Sequence, residues 1–354
     1  MIPVPFIEYV NVRIKGAHSR LFSRETYEDL MAGDNMGVLS TLLLDQPAYR
    51  DDVEKALEGL PEHEGLEHGV TNYFTRRVAD VLHMTEGKTK RLFETALYSF
   101  DIKNLRALIL AHNKGLMINE ARDMFIPCGS LTMDKLSLML SAPDLPGISM
   151  ILSNCFPPGA SALRKSINET SENEPIVIFI NRFESNFYRH ILKKLDRTDS
   201  DMAVLRKIFR LEIDIINIKS ALKSVWERVL PGKEDISAFI RGGSVPVHFL
   251  EEMSRVNELE DAFEMIESTP FGPAVEKGII YFAETGFFHE MERFFEEVFI
   301  RKALSYRRFD PFGVGVFIGY VWGLFVEMTN LRTLINGIAF RSGAGQMRKE
   351  LIYV

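Results

Sequence analysis

A six-residue pattern, acid-x-x-Asn-aliphatic-base, occurs four times along the 354 residues. Its acid, asparagine and base are Glu8, Asn11 and Arg13 in the first copy and Asp101, Asn104 and Arg106 in the second. They are Asp214, Asn217 and Lys219 in the third and Glu327, Asn330 and Arg332 in the fourth. Asn104 to Asn217 is 113 residues and Asn217 to Asn330 is again 113, whereas Asn11 to Asn104 is 93. Other features keep the long step. Gly159 and Gly272, each following a proline-containing turn, are also 113 apart, and Cys128-Gly129-Ser130-Leu131 corresponds within one residue to Gly242-Gly243-Ser244-Val245. His18-Ser19-Arg20-Leu21 is a weaker first version of that turn. Solenoid repeats have periods of roughly 20–50 residues, so each unit here is a small subdomain of several helices. The division this gives is a first unit over 1–100, a second over 101–213, a third over 214–326 and a closing C-terminal helix over 327–354.

The pattern itself is helical. Residues one and four after each acid are apolar: Tyr9 and Val12, Ile102 and Leu105, Ile215 and Ile218, Met328 and Leu331. That is an i, i+3 stripe, which predicts the buried face of an amphipathic helix. Further helices are predicted over 247–254 and 258–268, with Gly and Pro marking the breaks. Residues 168–175 form the most linker-like stretch, and 175–180 is the one place where strand and helix both fit. The fold class is therefore all-α. At about 100° per residue, the acid and Asn lie on one flank of the stripe and the base on the other. Two placements of the charges stand side by side: a head-to-tail arrangement about a pseudo-threefold axis, in which each base faces the next copy's acid, or solvated helix edges with no partner. Asparagine is a poor helix-interior residue, so a specific hydrogen bond is expected to hold it.

Composition narrows the function. An apolar share of 46% and a charged share of 26% belong to a soluble globular chain, and a net charge of −7 argues against nucleic acid as a partner. Two cysteines, Cys128 and Cys155, fit a reducing cytoplasm. Residues 1–6 carry two prolines and no basic segment, so no secretory leader is expected. The apolar run 312–326 spans 15 residues and holds Gly313, Gly315, Gly319 and Gly323; a spanning helix needs about 20, so a buried helix is expected, with the glycines allowing close packing. His63 and His68 are five apart, not the four of a zinc helix, and are expected on a loop between Pro61 and Gly69. Gly87-Lys88-Thr89 lacks the earlier glycine of a phosphate loop. No catalytic, cofactor-binding or metal-binding residues, no cofactor and no small-molecule substrate are expected. Charge is uneven: 251–297 holds thirteen acids against three bases, while 301–349 is net basic, a pattern that favours oriented polar interfaces.

The same residues carry a family resemblance. Phe100 to Leu108, Leu211 to Lys219, Thr269-Pro270-Phe271-Gly272, Pro311 to Gly315 leading into Gly319-Tyr320-Val321-Trp322, and Glu327 to Arg332 resemble the ordered segments of the C subunits of archaeal and bacterial A/V-type ATP synthases, relatives of the d subunit of the eukaryotic V-ATPase. Tyr9 to Leu21 is similar to that family's opening helix. The second unit departs, with Cys155-Phe156-Pro157-Pro158-Gly159 in place of a Thr-Pro-aromatic-Gly turn, and the first has only Asp45-Gln46-Pro47-Ala48-Tyr49. The resemblance implies a funnel of three similar helical units. It implies a non-catalytic central-stalk rotor component, peripheral on the cytoplasmic face of the membrane, between the membrane proteolipid rotor ring and the central axle subunits. Such a part transmits torque between ion transport and ATP synthesis or hydrolysis. A free-standing helical scaffold built on the same repeat is the alternative.

Overall fold

The computed structural model describes residues 7–32, 35–171, 174–195, 198–228, 239–285 and 288–353. Residues 1–6, where a leader would stand, and 172–173 of the linker-like stretch lie outside them. Among the described residues there are nineteen α-helices, one 3₁₀ turn and no strand. Residues 175–180 resolve as helix: Pro175 precedes Ile176–Lys194, whose Phe179, Ile180, Phe183, Phe187, Tyr188, Ile191 and Leu192 are buried. The 3.6-residue period outweighs the β-branched run once the window is long enough. The two helices expected in the third unit are Val247–Met253 and Leu259–Glu267.

The four motif helices are Ile7–His18, Tyr98–Asn113, Ser200–Arg228 and Val314–Ala339. The boundaries 100/101, 213/214 and 326/327 each fall inside one of the last three. By compactness the chain forms two units, residues 1–94 with 303–354 and residues 95–302.

In the first unit the core is the fourth motif helix. It is buried almost all round, the pattern of a helix enclosed by others. It is also the one helix among the described residues long and apolar enough to cross a membrane, yet 89% of its apolar window is buried inside the protein. The apolar run expected to end at 326 continues as helix through the motif to Ala339. Its small residues bring neighbours close. A Cβ at Gly315 would meet the Tyr306 carbonyl at 2.7 Å, one at Gly319 the Arg307 Cβ at 2.9 Å, and one at Gly323 Leu21 at 2.8 Å. The Phe93 and Phe317 rings stack 4.1 Å apart. The segment 62–69, expected as loop, begins the Glu62–His83 helix. Gly65 and Gly69 sit where that helix crosses Leu57 and Val53 of the Arg50–Leu57 helix, and an added Cβ would lie 2.8 Å from atoms of each. These glycines are contact points between helices, not breakers.

In the second unit the Ile176–Lys194 helix packs against Tyr98–Asn113 and Pro157–Asn168. An aromatic chain of Tyr98, Phe156, Phe187, Tyr188 and Phe209, with neighbouring centroids 4.9–6.4 Å apart, runs through its core. Helix starts follow local chemistry: Thr132 and Asp144 accept from the Lys135 and Gly147 amides, capping otherwise unpaired first-turn donors. Gly69→Ala is expected to destabilise the first unit by about 1–3 kcal/mol, because backbone of the partner helix must move, whereas Gly59→Ala, with open space around it, should stay within about 0.5 kcal/mol; denaturant unfolding of both variants checks this.

Candidate functional site: repeated clamps on the backbone

Three of the four motif asparagines do one job. Asn104 Nδ2 donates to the Ile126 carbonyl at 2.8 Å and its Oδ1 accepts from the Ile126 amide at 2.7 Å. Asn217 holds Ile240 in the same two-sided way, at 2.8 Å in both directions. Asn330 holds Ile352 at 3.0 and 2.9 Å. The carboxamide mimics a strand neighbour, giving an irregular segment the donor and acceptor it needs where water is excluded. The expected specific hydrogen bond is thus a pair of bonds, to an isoleucine 22 or 23 residues downstream in every case.

The acid, one turn earlier, grips the same segment further on. Asp101 accepts from the Ser130 and Leu131 amides at 3.0 and 3.1 Å, and Asp214 from the Ser244 and Val245 amides at 2.7 and 2.9 Å. These are the Gly-Ser turns that recur in the sequence. A Cβ at Gly129 would come within 2.5 Å of Asp101 Oδ1, and one at Gly243 would strike Asp214 likewise; only glycine lets the carboxylate lie on the turn. Burial pushes the Asp101 carboxyl up to about 6, with the two amides pulling it back, and raises Asp214 for the same reason.

The fourth helix reaches back to the first repeat. Glu327 accepts from the Phe22 amide and from Tyr49 Oη, each at 2.5 Å, beside the weak first version of the turn at 18–21. Burial raises its carboxyl to about 7, against the pull of both donors, and raises the Tyr49 phenol as well. Arg332 lies 3.3 Å from Glu67, which also accepts from Asn336 Nδ2 at 2.7 Å. The Asn336 side-chain oxygen meets His63 Nε2 at 2.9 Å.

In the second, third and fourth copies the charges follow neither of the two expected placements. Asp101 and Asp214 meet backbone amides of their own repeat, and Glu327 meets an amide and a phenol, rather than the base of a neighbouring copy. A carboxylate this deeply buried is satisfied by two donors without desolvating a guanidinium as well. Nor are the bases merely solvated: Arg106 pairs with Glu184 at 3.3 Å and Lys219 with Glu296 at 3.7 Å, each later in its own repeat. The two glutamates stand 112 apart, a signal available in the sequence. The backbone partners carry no side-chain signature, although Ile126, Ile240 and Ile352 share a residue type.

The first copy is different. Tyr9 and Val12, expected to be buried, are 54% and 69% exposed, while Val10, Asn11 and Ile14 face inward. Glu8 is exposed, Arg13 donates to Tyr9 Oη at 3.1 Å, and Asn11 grips one-sidedly. Its Nδ2 donates to the Phe312 and Gly313 carbonyls at 2.8 and 3.0 Å, and its buried Oδ1 has no partner among the described residues.

Among the described residues no group of three His, Cys, Asp or Glu side chains is arranged to hold a metal ion. The recurring polar residues hold backbone, and the fold they define is a helical repeat body fastened by internal clamps. Comparison with known proteins places it. Residues 10–350 match the family described as ATP synthase (C/AC39) subunit, and the chain belongs to that family. It is similar to the C subunit of the A-type ATP synthase of Methanocaldococcus jannaschii, 20% identical over 93% of this chain and 82% of that protein. It is similar to the corresponding Thermococcus kodakarensis protein, at 23% over 92% and 85%. The C subunit of the V-type ATP synthase of Thermus thermophilus is 23% identical over 97% of this chain and 98% of its own length.

Two outcomes follow from the clamps. Asn217→Ala leaves the Ile240 amide and carbonyl buried without partners and should cost about 3 kcal/mol, against about 1 kcal/mol for Asn11→Ala, whose grip is one-sided; equal losses in urea unfolding would remove the two-sided clamp as the cause. The second outcome concerns pH. The Glu327 carboxyl sits near 7 in the folded chain and at about 4.3 when unfolded, so between these values the folded form keeps a proton that the unfolded form releases. Its stabilisation is complete below the unfolded value and is lost as pH rises through 7, and Asp101 acts in the same sense. The urea midpoint should be lower at about pH 8 than at about pH 5.5, and Glu327→Gln should flatten that slope; an unchanged slope in the variant would exclude Glu327 as its source.

Proposed function

We propose that this chain is a non-catalytic central-stalk component of a rotary A/V-type ATPase or ATP synthase, coupling the membrane proteolipid ring to the central axle. The observation that carries the reading is the family match, which runs through 10–350 rather than over one motif, together with relatives named as the C subunits of ATP synthases over more than four-fifths of their own length. As a member of that family, the chain partners other subunits of a membrane-associated complex. In this reading the repeats 1–100, 101–213 and 214–326 surround a pseudo-threefold axis as a funnel, peripheral on the cytoplasmic face, and the segment 327–354 closes the set.

The clamps suit a part that carries load. A helix transmits force to its surroundings only through contacts that resist sliding. Two directed hydrogen bonds from one side chain to the backbone of one residue fix position along the helix axis in a way apolar contacts do not. Three such fasteners at one long step give a body with few loose connections, as torque transfer requires. Electron microscopy of the assembly purified through a tag on this chain is the test. Density for the chain between ring and axle is expected, with three similar lobes about the rotation axis. Assemblies that form and turn over without the chain in the rotor would overturn the reading.

A further inference from the structure

The basic segment near the C-terminus has a local expression that the stalk reading leaves unused. Within the first unit, a cleft of about 280 Å³ opens between the first motif helix and residues 307–316. Its floor is Ile14 and Val316, both buried, and its walls carry Lys15, His18, Ser19, Arg307 and Arg308. Among the described residues no carboxylate lines it. The nearby Asp310 is occupied, its two oxygens accepting from the Gly313 and Gly315 amides at 3.0 and 2.8 Å. Lys15 Nζ donates to the Pro311 carbonyl at 2.9 Å and lies 5.5 Å over the Phe312 ring, which leaves two of its three donors available. Arg307 donates to the His18 imidazole, which burial and that guanidinium together hold down at about 4. The histidine is thus neutral near pH 7, and Arg307 has no counter-ion among the described residues. Arg308 has neither an ion pair nor a hydrogen bond among the described residues.

Three uncompensated cations on one cleft, in a chain of net charge −7, constitute an anion site. Lysine as a point charge with arginine forks is the donor set that phosphate oxygens take. The rim narrows the class further. Phe309 and Phe312 are 75% and 69% exposed, and Tyr9 and Val12 are exposed on the motif helix that carries Lys15. Exposed aromatic and aliphatic groups beside basic ones are what a segment resting at a lipid headgroup–acyl boundary presents, and a free phosphate has no use for them. We propose that this cleft binds the phosphate group of an anionic phospholipid headgroup, with Phe309 and Phe312 resting on the acyl boundary.

The inference stands apart from the stalk reading, because the full chain alone can be tested. Co-sedimentation with vesicles of equimolar phosphatidylcholine and phosphatidylglycerol should capture the chain, and phosphatidylcholine vesicles should not. Lys15→Gln with Arg308→Gln should weaken capture by on the order of thirtyfold, with the unfolding midpoint reporting that the variant is folded. Lys55→Gln with Lys90→Gln, exposed cations elsewhere in the same unit, should leave capture unchanged; an equal loss there would mean net charge alone drives binding and would overturn the site. If the vesicles fail while inorganic phosphate still shifts the His18 ring resonances, the ligand is a free phosphate and the headgroup assignment falls. If neither responds, the cleft is no phosphate site.

Discussion

The structure depends on one interaction, a helix side chain standing in for a missing strand. An irregular segment packed against helices has nowhere to send its amides and carbonyls, and each one left buried and unpaired costs more than a made hydrogen bond contributes. Asn104, Asn217 and Asn330 answer that need at Ile126, Ile240 and Ile352, with one donor and one acceptor each. Asp101 and Asp214 extend the hold four or five residues further along, at the Gly-Ser turns. The combination lets short connections lie flat on helices without becoming regular structure themselves. It also explains why the acid and Asn must be three apart: the helix places them on one face, one turn from each other.

This arrangement makes the recurring glycine as necessary as the recurring acid. A carboxylate that accepts two successive amides must approach the chain more closely than a side chain on the preceding residue permits, and Gly129 and Gly243 supply the room. The acid and its glycine are 28 and 29 residues apart in sequence and are one site in space. The bases are a looser matter. Arg106 and Lys219 are partly exposed and reach Glu184 and Glu296 at 3.3 and 3.7 Å; solvent screening keeps the exposed Lys219 pair to about 1 kcal/mol or less, whereas Glu184 is itself buried. They trim the edge of each unit, while the acid and Asn hold its interior.

Much of this is legible in the sequence, and the failures have physical reasons. The all-helical class, the 113-residue step and the need for the Asn to be bonded come directly from pattern and propensity. What the acid touches does not, because an amide of the main chain has no letter of its own, although the Gly-Ser turn that carries it recurs at nearly the same step. The stripe of Tyr9 and Val12 matches the other copies by position yet faces outward, because periodicity finds an apolar face without saying what covers it. Pro61 and Gly69 suggest a loop where there is a helix, since the same missing side chain both loosens a backbone and lets a neighbour in. The apolar run at 312–326 is core as its length implies, but its end at an acid is not the end of a helix: Glu327 is buried, and the helix carries it inside.

That buried helix also governs how the molecule is made. In the first unit, residues 1–94 pack around a helix that comes from 303–354, and Phe22, Tyr49 and Glu67 find their partners on Glu327 and Arg332. At ribosomal speeds of about 5–20 residues per second, the 208 residues from 95 to 302 separate the two halves by roughly 10 to 40 seconds. Through that interval the first helices are out of the ribosome with their apolar faces uncovered and their polar partners unmade. The second unit, by contrast, is continuous in the chain. The order of birth is therefore the reverse of the numbering: the middle of this protein is able to fold first, and its beginning is finished last.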